Sequence, residues 1–123
     1  MFNFEKLEVW RKAIDFADLI YGKTRDFPAE ERFGLTHQLR RAAVSISSNI
    51  AEGSSRSSKP DFARFIEIAC GSLFEVVAQI TVVQRQEFVK EAAFRQIYDA
   101  AEELSRMLSG LRRSLLSTLP SQP

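Results

Sequence analysis

Apolar positions in the first segment recur in steps of three and four: Leu7, Trp10, Ile14, Ala17, Tyr21 and Thr24. That period predicts a helix over residues 4–25, with Val9, Ala13, Phe16 and Ile20 widening its apolar face. Asp26-Phe27-Pro28 ends it, and Pro28 followed by two glutamates fits the first turn of a second helix. Leu35, Leu39, Ala42, Ile46 and Ile50 carry that helix over 29–52, loosened near Gly34, and Gly53 reads as its stop. After a Ser-rich turn, Ser58 is a candidate N-cap with Pro60 close behind, opening a third helix over 59–85. Its stripe is Phe62, Ile66, Ala69, Leu73, Val76, Ile80 and Val83. A fourth helix over 89–116 repeats the same steps from Phe94 to Leu115, and residues 117–123 form a frayed tail. Four helices with short connections predict one all-α domain over 1–123, an antiparallel up-down-up-down four-helix bundle.

The third helix departs from a simple amphipath. Phe65, Ile68, Cys70, Phe74 and Val77 are apolar too, and they lie off the main stripe. A helix on the outside of a small monomer has no use for a second greasy face. Phe65, Ile68, Phe74 and Val77 are therefore the expected oligomer interface.

Composition limits the functional classes. The chain has 123 residues, 45% of them apolar, which suits one modest core and argues against disorder. Ten Phe against five Gly and four Pro fit long helices. The single cysteine excludes an internal disulfide and a cysteine-based zinc site. No apolar run approaches the ~20 residues of a membrane span, and the first residues do not resemble a signal peptide, so a cytoplasmic protein without membrane contact is expected.

The net charge of +1 does not announce a nucleic-acid binder, but its distribution is uneven. In antiparallel order, residues 1–12, 52–64 and 106–123 share one pole. That pole holds nine basic and four acidic side chains, a net +5, and the rest holds eight basic and twelve acidic, a net −4. Such polarity attracts a phosphate backbone, although exposed helix ends also collect charge for solubility alone. The cations singled out are Arg11, Lys12, Arg40, Arg41, Arg56 and Lys59, with Arg112 and Arg113 behind them.

Catalytic constellations are absent. His37 is the only histidine, no carboxylate stands at ligand spacing from it, and the Glu-x-x-His pairs of a di-iron bundle are missing. Cys70 reads as a small packing residue, and Ser45 has no base at helical spacing. No enzyme activity, metal or cofactor is expected. Trp10, Tyr21 and Tyr98 have rings suited to stacking on bases, but Trp10 and Tyr21 sit on the apolar stripe, where core packing is the simpler role.

Gln38, Ser45, Asn49 and Glu52 fall on one stripe of the second helix, and Arg41 lies one turn before Ser45. Three roles are open for these groups: a buried polar network that fixes helix register, a close subunit contact, or a phosphate site.

LEVWRKA at 7–13, FPAEERFGLTHQLRRAAVSISSNIAEG at 27–53 and DFARFIEIACGSLFEV at 61–76 carry a resemblance that weakens into EELSRMLSGLRRSL at 102–115. The chain resembles the 23S ribosomal RNA intervening-sequence proteins and is similar to their relatives, the accessory variability determinants of diversity-generating retroelements. The linked block FP..E.FGL..QLRRAAVSI..NIAEG is its most specific part. The resemblance implies a ring-shaped homopentamer of antiparallel bundles with a central pore, and RNA or DNA binding through a basic surface. It assigns no catalytic task to Gln38, Arg40, Arg41, Ser45, Asn49 or Glu52, so they are expected to tie helices and subunits together, with the two arginines free to reach phosphate. A protein-interaction scaffold, docking a helical or reverse-transcriptase-like partner, is the rival expectation. The family commonly has a glycine-containing turn where this chain has Gln86, Glu87 and Phe88.

Overall fold

A polypeptide whose apolar residues recur every three or four positions must fold its stripes against one another. In the computed structural model, which describes residues 1–117, they do so as four helices, with no strand among the described residues. They are α1 (Glu8–Thr24), α2 (Leu35–Ser54), α3 (Lys59–Arg85) and α4 (Glu91–Leu116), with short 3-10 turns at Asn3–Lys6 and Ala29–Glu31. α2 packs on α1 and α3, α3 on α2 and α4, and α4 closes back on α1. The core contains Ile20, Ile46, Ile50, Ile66, Val76 and Leu108 with essentially no exposure. Truncating any one of the larger of these to alanine is expected to cost about 2–5 kcal/mol. The expected frayed tail lies outside the described residues, apart from Ser117.

Local chemistry fixes the helix ends. The Ser58 hydroxyl accepts from the Asp61 amide at 3.2 Å, and Pro60 occupies the first turn of α3, where its missing N–H costs nothing. Pro28 does not open α2. The Pro28 and glutamate signals produce only the Ala29–Glu31 turn, and α2 begins at Leu35 after the non-helical Gly34. A Glu31 carboxylate oxygen then accepts from the Leu35 amide at 3.2 Å, which satisfies one orphan donor of the new helix.

Gly53 is likewise not a stop. It is buried within α2, where a methyl group would stand 2.6 Å from Phe65 Cβ and 2.9 Å from Phe62 Cδ1. The missing side chain is what lets α2 and α3 approach. At the far end of α3, Glu87 adopts φ 63°, the left-handed conformation that glycine takes without strain. Phe88 N–H bonds to Val83 O at 3.1 Å and Glu87 N–H to Gln84 O at 3.0 Å, the paired bonds of a Schellman stop. The glycine-less turn thus keeps a glycine-type geometry.

Two packing expectations need correction. In α1 the flanking residues Val9, Ala13, Phe16 and Ile20 are buried, whereas Tyr21 of the predicted stripe is 40% exposed. Phe65 does not belong to an open face: it is buried within its own chain, against Gly53 and beneath the guanidinium groups of Arg56 and Arg64 at 4.5 and 5.3 Å. Counting along the helix left it off the stripe, but α2 comes close enough at Gly53 to cover it.

α3 also exceeds the expectation that no segment approaches a membrane span. By length and composition alone it is apolar enough to cross one, with a mean hydropathy of 1.7 over its best window. A simple scan for unbroken apolar runs misses it, because Glu67 and Glu75 interrupt the run without lowering the average much. Its Phe62-to-Val83 stripe is packed inside the bundle.

Candidate nucleic-acid and subunit surfaces

The polar stripe of α2 faces α3. Ser45 Oγ and Ser72 Oγ are 2.9 Å apart, and Asn49 Nδ2 donates to Ser45 Oγ at 3.1 Å and to Ser45 O at 2.8 Å. Two turns earlier on α2, Gln79 Nε2 donates to Gln38 Oε1, and within α3 to Glu75 Oε2, both at 3.2 Å. The serine and asparagine bonds are part-buried and satisfy their groups across a seam of small residues, whereas the glutamine bonds are exposed and leave Gln79 Oε1 without a partner among the described residues. Glu52 stands apart from them and accepts from Arg56 at 2.9 Å, an exposed pair one helical turn long.

The eight candidate cations do not form one surface. Arg56 pairs with Glu52 at 2.9 Å, Lys12 of α1 approaches Glu103 of α4 at 3.7 Å and Arg112 of α4 approaches Glu67 of α3 at 4.0 Å. Arg11 donates to the Glu5 carbonyl at 2.8 Å. Lys59 and Arg113 have no ion pair among the described residues. Much of the formal charge of this pole is therefore met locally, although exposed pairs of this kind are weak and exchangeable.

Arg40 and Arg41 belong elsewhere. Arg40 Nε donates to Thr24 Oγ1 at 2.9 Å and its guanidinium lies 4.6 Å above the Tyr21 ring, so it ties the first half of α2 to the end of α1. Together with Arg32, His37 and Phe33, both arginines line a surface depression of about 480 Å³. None of Arg32, Arg40 and Arg41 has a carboxylate partner among the described residues. Phe33 is 84% exposed, with the Arg32 guanidinium 5.2 Å above its ring. The sequence reading passed over Arg32 and Phe33. The available signal was an aromatic residue between an arginine and the helix-breaking Gly34, outside either apolar stripe.

Of the expected interface residues, Phe74 is 68% and Ile68 44% exposed, and Val77 is half-buried. Phe74 and Val77 line an apolar groove of about 380 Å³ between α3 and α4, with Tyr98, Ala101 and Glu102 on its far wall. Val82, 47% exposed, extends the apolar surface along α3.

His37 is exposed, and no three metal-ligating side chains cluster among the described residues. Burial pushes the Cys70 thiol above its usual range; nearby Arg112 pulls the other way, and Glu67 adds to the rise. A thiol so placed is a poor nucleophile. Trp10 packs edge-on to Phe4 at 4.9 Å; Tyr98 packs on Phe94 at 5.9 Å, carries the Arg95 guanidinium at 5.3 Å and lines the α3–α4 groove.

Comparison with known proteins adds a family and a fold. The family model described as 23S rRNA-intervening sequence protein matches residues 5–110. A crystal structure of a protein with unknown function from the S23 ribosomal protein family of Bacteroides thetaiotaomicron is similar, with a TM-score of 0.79 and 24% identity, covering 85% of this chain and 95% of that one. No curated protein matches.

Proposed function

Because the chain belongs to the 23S rRNA-intervening sequence protein family, we propose that it is a non-enzymatic, self-associating helical bundle that binds RNA or DNA. The observation that carries the reading is the exposed apolar side of α3, where Ile68, Phe74 and Val82 face outward from a helix already packed on two neighbours. Burying such a surface against other copies removes apolar area from water, at about 25 cal/mol per Å². In this reading the helices run up-down-up-down. Asn3 bonds to Ser54, placing the start of the chain at the end of α2, while Arg40 bonds to Thr24 at the opposite end. The copies close into a ring, for which the family resemblance implies five members. The setting is the cytoplasm, and the apolar character of α3 serves the core and the subunit contact rather than a bilayer.

Nucleic acid is the preferred ligand because arginines without carboxylate partners stand exposed on the surface. Arg41 and Arg113 offer their charge freely, with Arg32 beside Arg41 and Lys59 at the other pole. Phosphate contacts of this kind confer affinity with little sequence preference. Fluorescence anisotropy with single- and double-stranded oligonucleotides, repeated between about 50 and 200 mM salt, tests the reading. Binding that weakens steeply with salt is the expected result. A folded oligomer with no binding at ~50 mM salt would instead favour the scaffold reading, in which the surface docks a helical or reverse-transcriptase-like protein. The carboxylate partners of Lys12, Arg56 and Arg112 are the observation that keeps that second reading in view.

A further inference from the structure

We propose that the corner around Phe33 holds an unpaired base of a single-stranded nucleic acid, with the flanking phosphates on Arg32 and Arg41. The proposal rests on the nucleic-acid reading and adds the place and the strand state, which a basic surface alone leaves open. Phe33 is 84% exposed and Tyr21 40%, and both rings line the depression of about 480 Å³. Arg32, Arg40, Arg41 and His37 line it too, and no carboxylate does. The neighbouring Glu31 directs a carboxylate oxygen to the Leu35 amide at 3.2 Å.

Two other hollows offer half of this chemistry. The α3–α4 groove has Phe74 and Tyr98, but Glu102 lines it and would repel a phosphate. The depression at the end of α4 has Arg112 and Arg113, but no ring. Of the three, the Phe33 corner alone joins exposed rings to arginines that have no ion pair among the described residues. The two groups have separate tasks. Phosphates are present on single strands and duplexes alike, so the arginines give affinity for either. An exposed ring gains from a base only when that base has left its own stack, so Phe33 favours the single strand.

The corner is built before any ligand arrives. Arg32 N–H bonds to Ala29 O at 3.1 Å and Gly34 N–H to Glu31 O at 3.0 Å, which holds the backbone on both sides of Phe33. The Arg32 guanidinium lies 5.2 Å above one face of the ring, and the exposed ring is open on the other. Arg40, anchored on Thr24, covers Tyr21 in the same manner at 4.6 Å, so it is a positioning residue, whereas Arg41 is exposed and unpaired. Pre-ordering of this kind reduces the entropy lost on binding.

Fluorescence anisotropy on the full chain at ~50 mM salt tests the proposal with three labelled probes: oligothymidylate, an abasic strand of the same length, and a duplex. The parent chain is expected to prefer oligothymidylate to the other two. Phe33→Ala should weaken oligothymidylate binding by about 5- to 150-fold, the range for one lost base stack, and erase the preference. Phe33→Trp should keep it. Arg41→Ala should weaken all three probes alike and lower the salt slope by about one phosphate contact. Phe33 is exposed, so far-UV circular dichroism and the mass by light scattering should match the parent chain. Should Phe33→Ala unfold, Phe33→Leu replaces it. A parent chain that binds the abasic strand as tightly as oligothymidylate overturns the stacking and leaves nucleic-acid binding standing. So does a Phe33→Ala variant that loses affinity equally for all three probes, or for none. A change of mass in that variant assigns the ring to a subunit contact and overturns the proposal as well. A parent chain that binds no probe defeats the nucleic-acid reading itself, and the proposal with it.

Discussion

The two sides of α3 are finished differently. Toward α2 the seam is tighter: Gly53 admits Phe62 and Phe65 at distances that leave no room for a methyl group, and Ser45 meets Ser72 at 2.9 Å beside a smaller, polar depression of about 210 Å³. Toward α4 the seam gapes, leaving an apolar groove of about 380 Å³ with Phe74 standing at its edge. One helix thus has one side whose small and polar residues fix its register, and another whose large apolar residues lack a partner in the same chain. Small side chains with paired hydroxyls mark a contact completed within the protomer. An open groove between large side chains marks a contact left for something else.

The largest effect expected from disturbing this contrast is at Gly53. Gly53→Ala should force Phe65 and Phe62 apart and destabilise the bundle by about 1–3 kcal/mol in a urea titration, despite the better helix propensity of alanine. An unchanged midpoint would show that the tighter seam is more yielding than its distances imply. Ser45→Ala removes the bond to Ser72 and one of the acceptors of Asn49, at an expected cost of about 1 kcal/mol in the same measurement.

At the turn that sets α4 against α3, Glu87→Gly should raise stability by about 0.5–1 kcal/mol by relieving the left-handed residue, with part of the gain lost to the freer unfolded chain. Smallest is the effect at Cys70, which should react with a disulfide reagent at pH 8 more slowly than an unfolded control. Its raised pKa leaves less thiolate, and the rate should climb as pH rises. The sign for stability follows. A proton held more tightly in the folded state stabilises the fold fully below the ordinary thiol range, and that contribution fades as pH rises through and above it.

What could be read from the sequence divides along the same line. Periodicity located the Phe62-to-Val83 stripe of α3, because a buried stripe must repeat with the helix, and Ser58 announced its cap through a hydroxyl at the right offset. Gly53 was misread because a glycine that ends a helix and a glycine that admits a neighbouring helix look alike locally. The same holds for Pro28, whose fixed φ suits a 3-10 turn as well as an α-helix. Among the site residues, Arg40 and Thr24 lie sixteen positions apart and Lys12 and Glu103 ninety-one, so charge pairing across the bundle is not legible from spacing. Phe65 was assigned outward for that reason too: only the approach of α2 decides which side of α3 is covered.

The two guanidiniums over Phe65 imply something about how that corner answers to its surroundings. The carboxylate pairings of Arg56 and Arg64 are exposed and will be screened as ionic strength rises, whereas contact between a flat cation and an aromatic face persists. Lysine at both positions would keep the charge and lose the flat cover, so brine should leave the native corner shut while the doubly substituted one loosens.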